Sequence, residues 1–438
     1  MQTLVLLMIV SVVTFPFLTK SGVLPKFADF APEVIAAFVV VAVVTQGVRN
    51  RFQYVRPAYW IVLGAIAFNM ICGVLVNAVD AGPVFAGIRT YFRAMPFFLL
   101  PAVFAFSEKQ ISQQFALILG LAFIQTPIAI YQRLQPYVTG DSVYGTLMIS
   151  SFLSIFLIGV ACMLTGFYLK KRLRLTTYLL LMLVIMVPTL INETKGTLVL
   201  FPVALIVTFL VSARRGARLK SLVGATVVSA LLVGIFVPIY DYTQRDREDR
   251  YLQETPTVSN WLRSGRIHEY LYKGSRGVGA AEQQDVGRLD ALVVPLQYLA
   301  KDPVRLAFGV GLGNASQSSL GRSFTGEYFR ALEFYLLHTI ARVMAETGLI
   351  GLALLLVLIS QIFMDSRRLA GGDQGVRGAS AAGWAGITVM VMIGMSYKDL
   401  VFSPALTYLF WYISGLVAAE VVRTGRSRTR GHVSESGA

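Results

Sequence analysis

Long runs without a charged residue are the feature that most constrains what this chain can fold into. A helix needs roughly 17–25 apolar residues to cross a bilayer, and many segments here meet or approach that length. The clearest runs are 111–132, 142–169, 175–192, 196–213, 221–240, 347–364 and 400–419. Three further runs are 1–19, 33–48 and 57–79, and two weaker ones are 83–107 and 379–397. Only 14% of the 438 residues are charged, against about 25% in soluble proteins. The sequence therefore predicts an all-α integral membrane protein with about twelve transmembrane helices.

The first run and the two cysteines exclude some other interpretations. Residues 1–19 resemble a secretory signal peptide, but they lack a basic start and a small-x-small cleavage site. We therefore expect a retained first helix. Cys72 and Cys162 both lie within apolar runs, which favours two buried thiols over a disulfide framework.

The basic residues predict how the chain is oriented in the membrane. The net charge is +15, and its clusters fall on alternate connections between the apolar runs. These clusters are Arg49/Arg51/Arg56, Lys170/Lys171/Arg172/Arg174, Arg214/Arg215/Arg218/Lys220, Arg367/Arg368/Arg377 and Arg423/Arg426/Arg428/Arg430. Loops rich in Lys and Arg stay in the cytoplasm, so both termini should be cytoplasmic. The charge is therefore a topology signal and does not indicate a nucleic-acid partner.

One segment of the chain, 240–335, is far longer than the other connections and falls on the predicted outer side of the membrane. The sequence divides into a transmembrane bundle of about nine helices at 1–239, this large loop, an amphipathic helix with the last three spans at 336–422, and a disordered cytoplasmic tail at 423–438. Within the loop, Asp285 is placed to cap an amphipathic helix at 286–300. A second amphipathic helix is predicted from Phe329 through His338 into the membrane, with 333–346 as its main part.

Two arginines near the outer end of an apolar run are candidate anion ligands. Arg89 and Arg93 are four residues apart and therefore share one helix face. Arginines inside a membrane usually face a cavity, and paired guanidinium groups suit phosphate. The alternative is that both side chains extend to the lipid headgroups.

Further ionisable residues lie on the same predicted side. Glu193 and Lys195 fall in a minimal turn between two apolar spans, where a plain polar turn is the alternative. Arg288 is predicted in the first turn of the loop helix, where a positive charge opposes the helix dipole. It is either a ligand-binding residue or a solvated surface arginine.

His338 is the histidine at a predicted membrane boundary. Arg342 and Glu346 follow it at i+4 and i+8, along one helix stripe. Histidine exchanges protons near neutral pH, and a nearby glutamate would raise its basicity. A purely structural histidine is the competing interpretation.

Motifs of several other chemistries are missing from the sequence. The turn Gly309-Val-Gly-Leu-Gly-Asn314 lacks the Lys-Ser/Thr of a nucleotide-binding loop, so we interpret it as a flexible turn. No Cys/His spacing suggests a metal, and no Gly-x-Ser-x-Gly elbow suggests a hydrolase.

Residues 288–351 resemble the signature region of the O-antigen ligase and O-antigen (exopolysaccharide) polymerase superfamily. The matching pattern is an arginine-led helix at Arg288, then Pro303 followed by the glycine turn at 309–314. His338 and Glu346-Thr-Gly348-Leu-Ile-Gly351 complete it. Two departures exist: Thr194-Lys195-Gly196 replaces a Ser-Arg-Gly turn, and Thr339 replaces an asparagine common after the histidine.

The resemblance implies a glycosyltransferase of the bacterial inner (plasma) membrane whose active site and large 240–335 loop face the periplasm. It would need neither metal nor cofactor. Its donor would be a glycan linked to undecaprenyl pyrophosphate, and its acceptor another glycan or lipid A-core. His338 would be catalytic, and a set of supporting residues would comprise Glu193, Arg342 and Glu346. The pyrophosphate would be bound by Arg89, Arg93, Arg288 and Lys195. Membrane lipids and other polysaccharide-assembly proteins are the expected partners. The alternative function is a transporter or flippase for lipid-linked sugars, which would favour inverted repeats and broken helices.

Overall fold

The computed structural model describes residues 1–135, 140–192, 194–213, 218–245, 286–318, 320–401 and 403–435. Within these ranges the chain is helical and contains no strand. Nine of the described helices are long and apolar enough to cross a membrane, and two more apolar helices are shorter. The prediction of an all-α multi-pass membrane protein is therefore confirmed, although twelve full spans are not seen in these ranges.

The helices are numbered here in chain order. They are α1 Gln2–Lys20, α2 Ala31–Asn50, α3 Pro57–Val76, α4 Ala81–Phe92, α5 Met95–Val103, α6 Glu108–Leu134, α7 Ser150–Leu169, α8 Leu175–Ile191, α9 Thr197–Ser212, α10 Arg218–Arg245, α11 Asp290–Leu299, α12 Pro303–Phe308, α13 Phe329–Leu332, α14 Thr339–Gly372, α15 Val376–Gly394 and α16 Pro404–Glu435. We call the end of the bundle at which residues 286–338 lie the loop end. The opposite end, from which the C-terminal part of α16 extends, is the tail end.

The apolar segment at 83–107 is two helices rather than one span. α4 ends at Phe92, and α5 begins at Met95 with a proline in its first turn. Proline lacks an amide hydrogen and is best accommodated in the first turn of a helix, so Pro96 favours a new helix at this point. The break leaves Arg93 at the end of α4, where its side chain faces the loop end.

Close packing of small residues holds the centre of the bundle together. α15 is rich in alanine and glycine and packs against α7, α9 and α14. Gly166 of α7 meets the carbonyl of Ala379, and Gly386 of α15 meets the carbonyl of Ala204 in α9. Small residues allow helix backbones to approach closely in a membrane, where van der Waals contact is a main source of helix association.

The loop helices differ from their predicted bounds. α11 begins at Asp290 rather than 286 and ends at Leu299. Asp285, the predicted cap, lies outside the described residues. Arg288 therefore precedes the helix in a turn, and the prediction that it lies in the first helical turn is wrong. The expected helix at 333–346 is also wrong in part: α13 ends at Leu332, and α14 begins only at Thr339.

The tail predicted to be disordered at 423–438 differs as well, because α16 continues as helix to Glu435. Arg423 anchors this extension. Its guanidinium donates 2.7 Å to Glu420 and 2.5 Å to the carbonyl of Pro101, and it lies over the ring of Tyr54. No proline follows in 423–435 to break the helix.

Candidate functional site

The connection between α15 and α16 brings three of the candidate site residues together. We call residues 397–401, Tyr-Lys-Asp-Leu-Val, the 397–401 segment. Its Tyr397 carbonyl accepts a hydrogen bond of 3.0 Å from Arg288. Its Asp399 carboxylate pairs with Arg342 at 2.5 Å, and its Val401 carbonyl lies 3.5 Å from Arg93. Three arginines that are distant in sequence therefore meet on one short connection at the loop end.

His338 is fully buried at the start of α14. It is the residue that precedes the helix, with extended backbone angles φ −140° and ψ 158°, so it does not continue the helical stripe of Arg342 and Glu346. Its Nε2 lies 3.0 Å from the carbonyl oxygen of Arg288. A carbonyl only accepts hydrogen bonds, so Nε2 carries the proton and Nδ1 carries the lone pair. Nδ1 is buried and has no hydrogen-bond partner among the described residues.

The environment of His338 favours its neutral form. Burial lowers the pKa of His338, and the positive charge of Arg288 lowers it further. The hydrogen bond to the Arg288 carbonyl and the charge of Asp399 act in the opposite direction without reversing the shift. The carboxylate that acts on this histidine is therefore Asp399, in place of the expected Glu346. A neutral histidine with a free Nδ1 lone pair is able to accept a proton.

Arg342 and Glu346 belong to a buried network next to the histidine. Arg342 donates to Asp399 at 2.5 Å and to the Ser316 hydroxyl at 2.5 Å. That hydroxyl donates in turn to Glu346 Oε1 at 2.5 Å. The second glutamate oxygen and the hydroxyl of Tyr91 are also buried, and these two side chains interact with each other. The two residues predicted to support His338 thus fix Asp399 and Ser316, and the hydrogen bond of the ring goes to the Arg288 carbonyl instead.

The glycine turn at 309–314 is buried and packed, so its interpretation as a flexible turn is wrong. Gly309, Gly311 and Gly313 have φ of 76°, 98° and 78°. A side chain at any of them would meet backbone atoms: those of residues 345–347 at Gly309, of Gly73 at Gly311 and of Pro83 at Gly313. Glycine is required because it combines a positive φ with close backbone approach. The turn is wedged between α3, α4 and α14.

The matching glycine on α14 explains the Glu-Thr-Gly-x-x-Gly sequence physically. Gly348 has φ 69° and ψ −172°, which interrupts the helix one residue after Thr347. The interruption frees the Thr347 carbonyl, and it accepts a 2.8 Å hydrogen bond from the Asn69 side chain. A Cβ at Gly348 would meet the carbonyl of Ala307 and the amide of Gly309. The kink therefore receives the glycine turn and sets the position of Glu346.

Arg89 and Arg93 are both engaged by a carboxylate that the sequence did not single out. Arg89 forms two hydrogen bonds with Glu33 at 2.7 and 2.9 Å, and Arg93 lies 3.5 Å from the same side chain. Glu33 is in the first turn of α2. The pair thus faces protein groups at the loop end. Arg93 also reaches the 397–401 segment, whereas Arg89 is held by its two hydrogen bonds with the Glu33 carboxylate.

The turn before α9 also reaches the 397–401 segment. Gly196 packs against the aromatic ring of Tyr397, the same ring on which Arg288 lies with its guanidinium 5.4 Å from the centroid. Lys195, next to Gly196, is half-buried and has interactions of its own. Glu193 lies outside the described residues.

An apolar cavity borders the polar cluster. It has a volume of about 250 Å³ and lies between α6, α7, α15 and α16. Phe115, Phe156, Trp384 and Phe410 line it, together with Leu400 of the 397–401 segment. Leu400 directly follows Asp399, so one residue pair joins the charged network to an apolar space within the bundle.

Sequence patterns missed several members of this cluster, including Lys398, Asp399, Ser316, Tyr91 and Glu33. A signal existed for the first two, because Tyr-Lys-Asp follows an apolar run on the side predicted to be periplasmic. No group of three or more metal-ligating side chains occurs in the ranges that the structure describes. The chain matches no protein-family model, and a search of curated proteins finds no match.

Proposed function

We propose that this protein is a periplasmic-facing glycosyltransferase whose donor is a glycan linked to undecaprenyl pyrophosphate. The observation that carries the proposal is His338. Its Nδ1 offers a buried, unpaired lone pair, while its Nε2 bonds to the carbonyl of an arginine. A base and cations in one cluster are what transfer from a pyrophosphate-linked sugar requires.

The proposed reaction uses groups present at the loop end. The acceptor hydroxyl attacks the anomeric carbon of the donor, and its proton passes to His338 Nδ1. The bond from that carbon to the pyrophosphate oxygen breaks, and its electron pair leaves with the pyrophosphate. Arg288, Arg93 and Lys195 offset the developing negative charge, while Arg342 and Glu346 hold the side chains of Asp399 and Ser316 in place.

The apolar cavity supports a lipid-linked donor. A polyprenyl chain needs an apolar surface that continues from the site of its headgroup. The cavity meets this requirement because Leu400 lines it and Asp399, the preceding residue, belongs to the polar network. The proposal covers two variants: a polymerase whose acceptor is another lipid-linked glycan, and a ligase whose acceptor is lipid A-core.

Orientation is part of the proposal. Basic clusters at alternate connections support cytoplasmic termini and a periplasmic 240–335 segment in a bacterial inner membrane. A phosphatase reporter fused at Gly279 should be active, because such a reporter works only in the periplasm. Activity of a cytoplasmic reporter at the same position would overturn the orientation and with it the proposed site.

The function is tested by glycan analysis of a strain that lacks the protein. Complementation with the wild-type chain should restore surface polysaccharide, and His338→Ala should not. His432→Ala is the matched control, because it removes a histidine from the C-terminal tail, far in sequence from His338. Membrane abundance of each variant is measured in parallel. Full polymer and full ligation with His338→Ala would refute the catalytic role.

A flippase for lipid-linked sugars is the second candidate, and two observations favour it. The segment at 83–107 is broken between α4 and α5, and α14 is interrupted at Gly348. Interrupted helices line substrate sites in many transporters. Purified protein in liposomes distinguishes the two: an enzyme forms a new glycosidic product from donor and acceptor, whereas a flippase only moves the donor between leaflets.

A further inference from the structure

Lys398 is a cation next to the histidine cluster that has no anion of its own. Its backbone is fixed, because its carbonyl accepts hydrogen bonds of 3.3 Å from both the amide and the hydroxyl of Thr339. Its side chain is half-buried. Among the described residues, its ammonium group donates no hydrogen bond and forms no ion pair within 4.0 Å.

Three charged side chains act on Lys398, and none of them neutralises it. Asp399 is already paired with Arg342 at 2.5 Å. Asp141 is exposed and lies 3.4 Å from the Ser150 hydroxyl. Arg288 carries the same sign as Lys398. Burial lowers the pKa of Lys398, and the charge of Arg288 lowers it further.

The Arg288 guanidinium donates to the carbonyl of Tyr397, the residue directly before Lys398, so both cations lie on the 397–401 segment. Like charges close together in a partly buried site raise the free energy of the protein. An anion that binds between them removes this cost, so such a pair is arranged in advance for a negative ligand. Arg288 supplies the carbonyl that holds His338, and Lys398 supplies the carbonyl that holds the next residue, Thr339. The backbone carbonyls of both cationic residues are thus hydrogen-bonded to the two residues at the start of α14, one of which is the base.

We propose that Arg288 and Lys398 form the seat for the diphosphate of the donor, with Lys398 as a donor-binding residue. This inference rests on the proposed function and adds a residue to it. Lys398 offsets charge on the diphosphate in the bound donor and on the leaving group as the carbon–oxygen bond breaks. Arg89 is already paired with Glu33, so we assign the diphosphate to Arg288 rather than to Arg89.

Binding of a defined probe tests the proposal. Full-length protein in nanodiscs is titrated with geranylgeranyl diphosphate, with geranylgeranyl monophosphate as the comparison ligand. Lys398→Gln should weaken diphosphate binding by about tenfold or more, since a charge-assisted hydrogen bond contributes about 1.5–3 kcal/mol. Lys398→Arg should restore most of the affinity. The matched control is Lys301→Gln, because Lys301 is an exposed lysine that also lies at the loop end.

The outcomes separate the seat from the function. If the wild-type protein does not bind the diphosphate, the proposed donor is wrong. If the wild type binds and Lys398→Gln binds equally well, only the role of Lys398 is refuted. A Lys398→Gln variant that fails to fold leaves a second measurement: wild-type affinity should fall as pH rises toward the ordinary lysine pKa, and Lys398→Arg should remove that fall. Identical pH profiles for the two proteins would refute the seat.

Discussion

The two ends of the bundle bury charged side chains in different ways. At the tail end, each buried carboxylate contacts two arginines: Asp365 contacts Arg56 and Arg368, and Glu420 contacts Arg377 and Arg423. At the loop end, the half-buried Glu33 likewise contacts two arginines, Arg89 and Arg93. The difference lies beside it: Asp399 pairs with Arg342, Lys398 has no ion-pair partner in the described part of the chain, and His338 Nδ1 has no hydrogen bond.

The difference indicates which end performs chemistry. A carboxylate enclosed by cations joins helices together and has little capacity left for a ligand. Asp365, for example, also accepts a 2.9 Å hydrogen bond from Tyr59 and so connects α3 to α14. Unmatched polar groups cost free energy when buried, and they are retained in many proteins where a substrate supplies the missing partner. The loop end fits this second description. The two atoms of the tail-end ion pairs that lack a hydrogen bond in the described ranges, Glu420 Oε2 and Arg377 Nε, belong to side chains that are ion-paired with each other at 3.2 Å.

The largest expected effect is on activity at the loop end. His338→Ala should lower the rate of glycan transfer by about 10²–10⁴-fold, the usual contribution of a general base. Initial rates with purified protein and lipid-linked donor would measure it. A variant at the tail end, Tyr59→Phe, removes a buried hydroxyl contact and should leave this rate within about threefold of wild type. Equal losses in both variants would break the comparison between the ends.

The next effect is on stability and concerns Asp399, which pairs with Arg342 and also acts on the charge of His338. Asp399→Ala leaves the Arg342 guanidinium buried without its ion-pair partner. The free energy of unfolding should fall by about 3–5 kcal/mol, as found when one member of a buried pair is removed. Thermal unfolding in detergent measures the change. The double variant Asp399→Ala/Arg342→Met should recover much of the loss, and no recovery would show that Asp399 acts through other contacts.

A smaller loss is expected at the tail end from Asp365→Ala. The two arginines left behind have side chains that are 32% and 53% exposed, so water solvates them once the carboxylate is gone. We expect a decrease of about 1–3 kcal/mol in the free energy of unfolding, with the affinity for a lipid diphosphate unchanged. A tenfold loss of that affinity would mean that the tail end also takes part in binding.

The glycine kink of α14 tests whether backbone shape positions the loop end. Gly348→Ala places a Cβ against the carbonyl of Ala307 at a positive φ, and strain of this kind costs about 1–3 kcal/mol. Gly371→Ala is the matched control on the same helix, because a Cβ there meets no atom within 4 Å. The first variant should unfold at a lower temperature than the control. Equal unfolding temperatures would mean that the kink is not required.

Sequence periodicity and charge were sufficient for the fold class and for the long helices, but not for the helix bounds around Arg288 and His338. The apolar runs correspond to the long helices, and the residues Arg93, Arg288, His338 and Arg342 meet at the loop end. Partners across long sequence distances could not be predicted. Asp399 pairs with a residue 57 positions away, and Glu33 pairs with Arg89 at a separation of 56. Local patterns do not encode such pairings, because tertiary packing decides them.

Local backbone geometry at His338 was also beyond the sequence pattern. Its spacing with Arg342 and Glu346 matches one helix face, yet α14 starts one residue later. The start of the helix is set by the 397–401 segment, whose Lys398 carbonyl accepts the Thr339 amide. A contact from another part of the chain therefore changed the role of the histidine from a helical position to the residue that precedes the helix.

The pH dependence of activity makes the smallest but most specific test of the loop end. Because burial lowers the pKa of His338 below its ordinary value of 6.5, the ring stays neutral as pH falls through 6.5. Activity should therefore persist there and decline only at lower pH, where Nδ1 becomes protonated.

The free energy of unfolding should change in the same direction as activity. The unfolded chain binds the proton first, so the contribution of His338 to stability is lost as pH falls from about 6.5 toward the lower folded pKa. Rates and unfolding temperatures across this range measure both effects, and His432→Ala should reproduce the wild-type curves. An acid limb centred at or above pH 6.5 would show that His338 is not held neutral, and the distinction between the two ends would then lose its chemical basis.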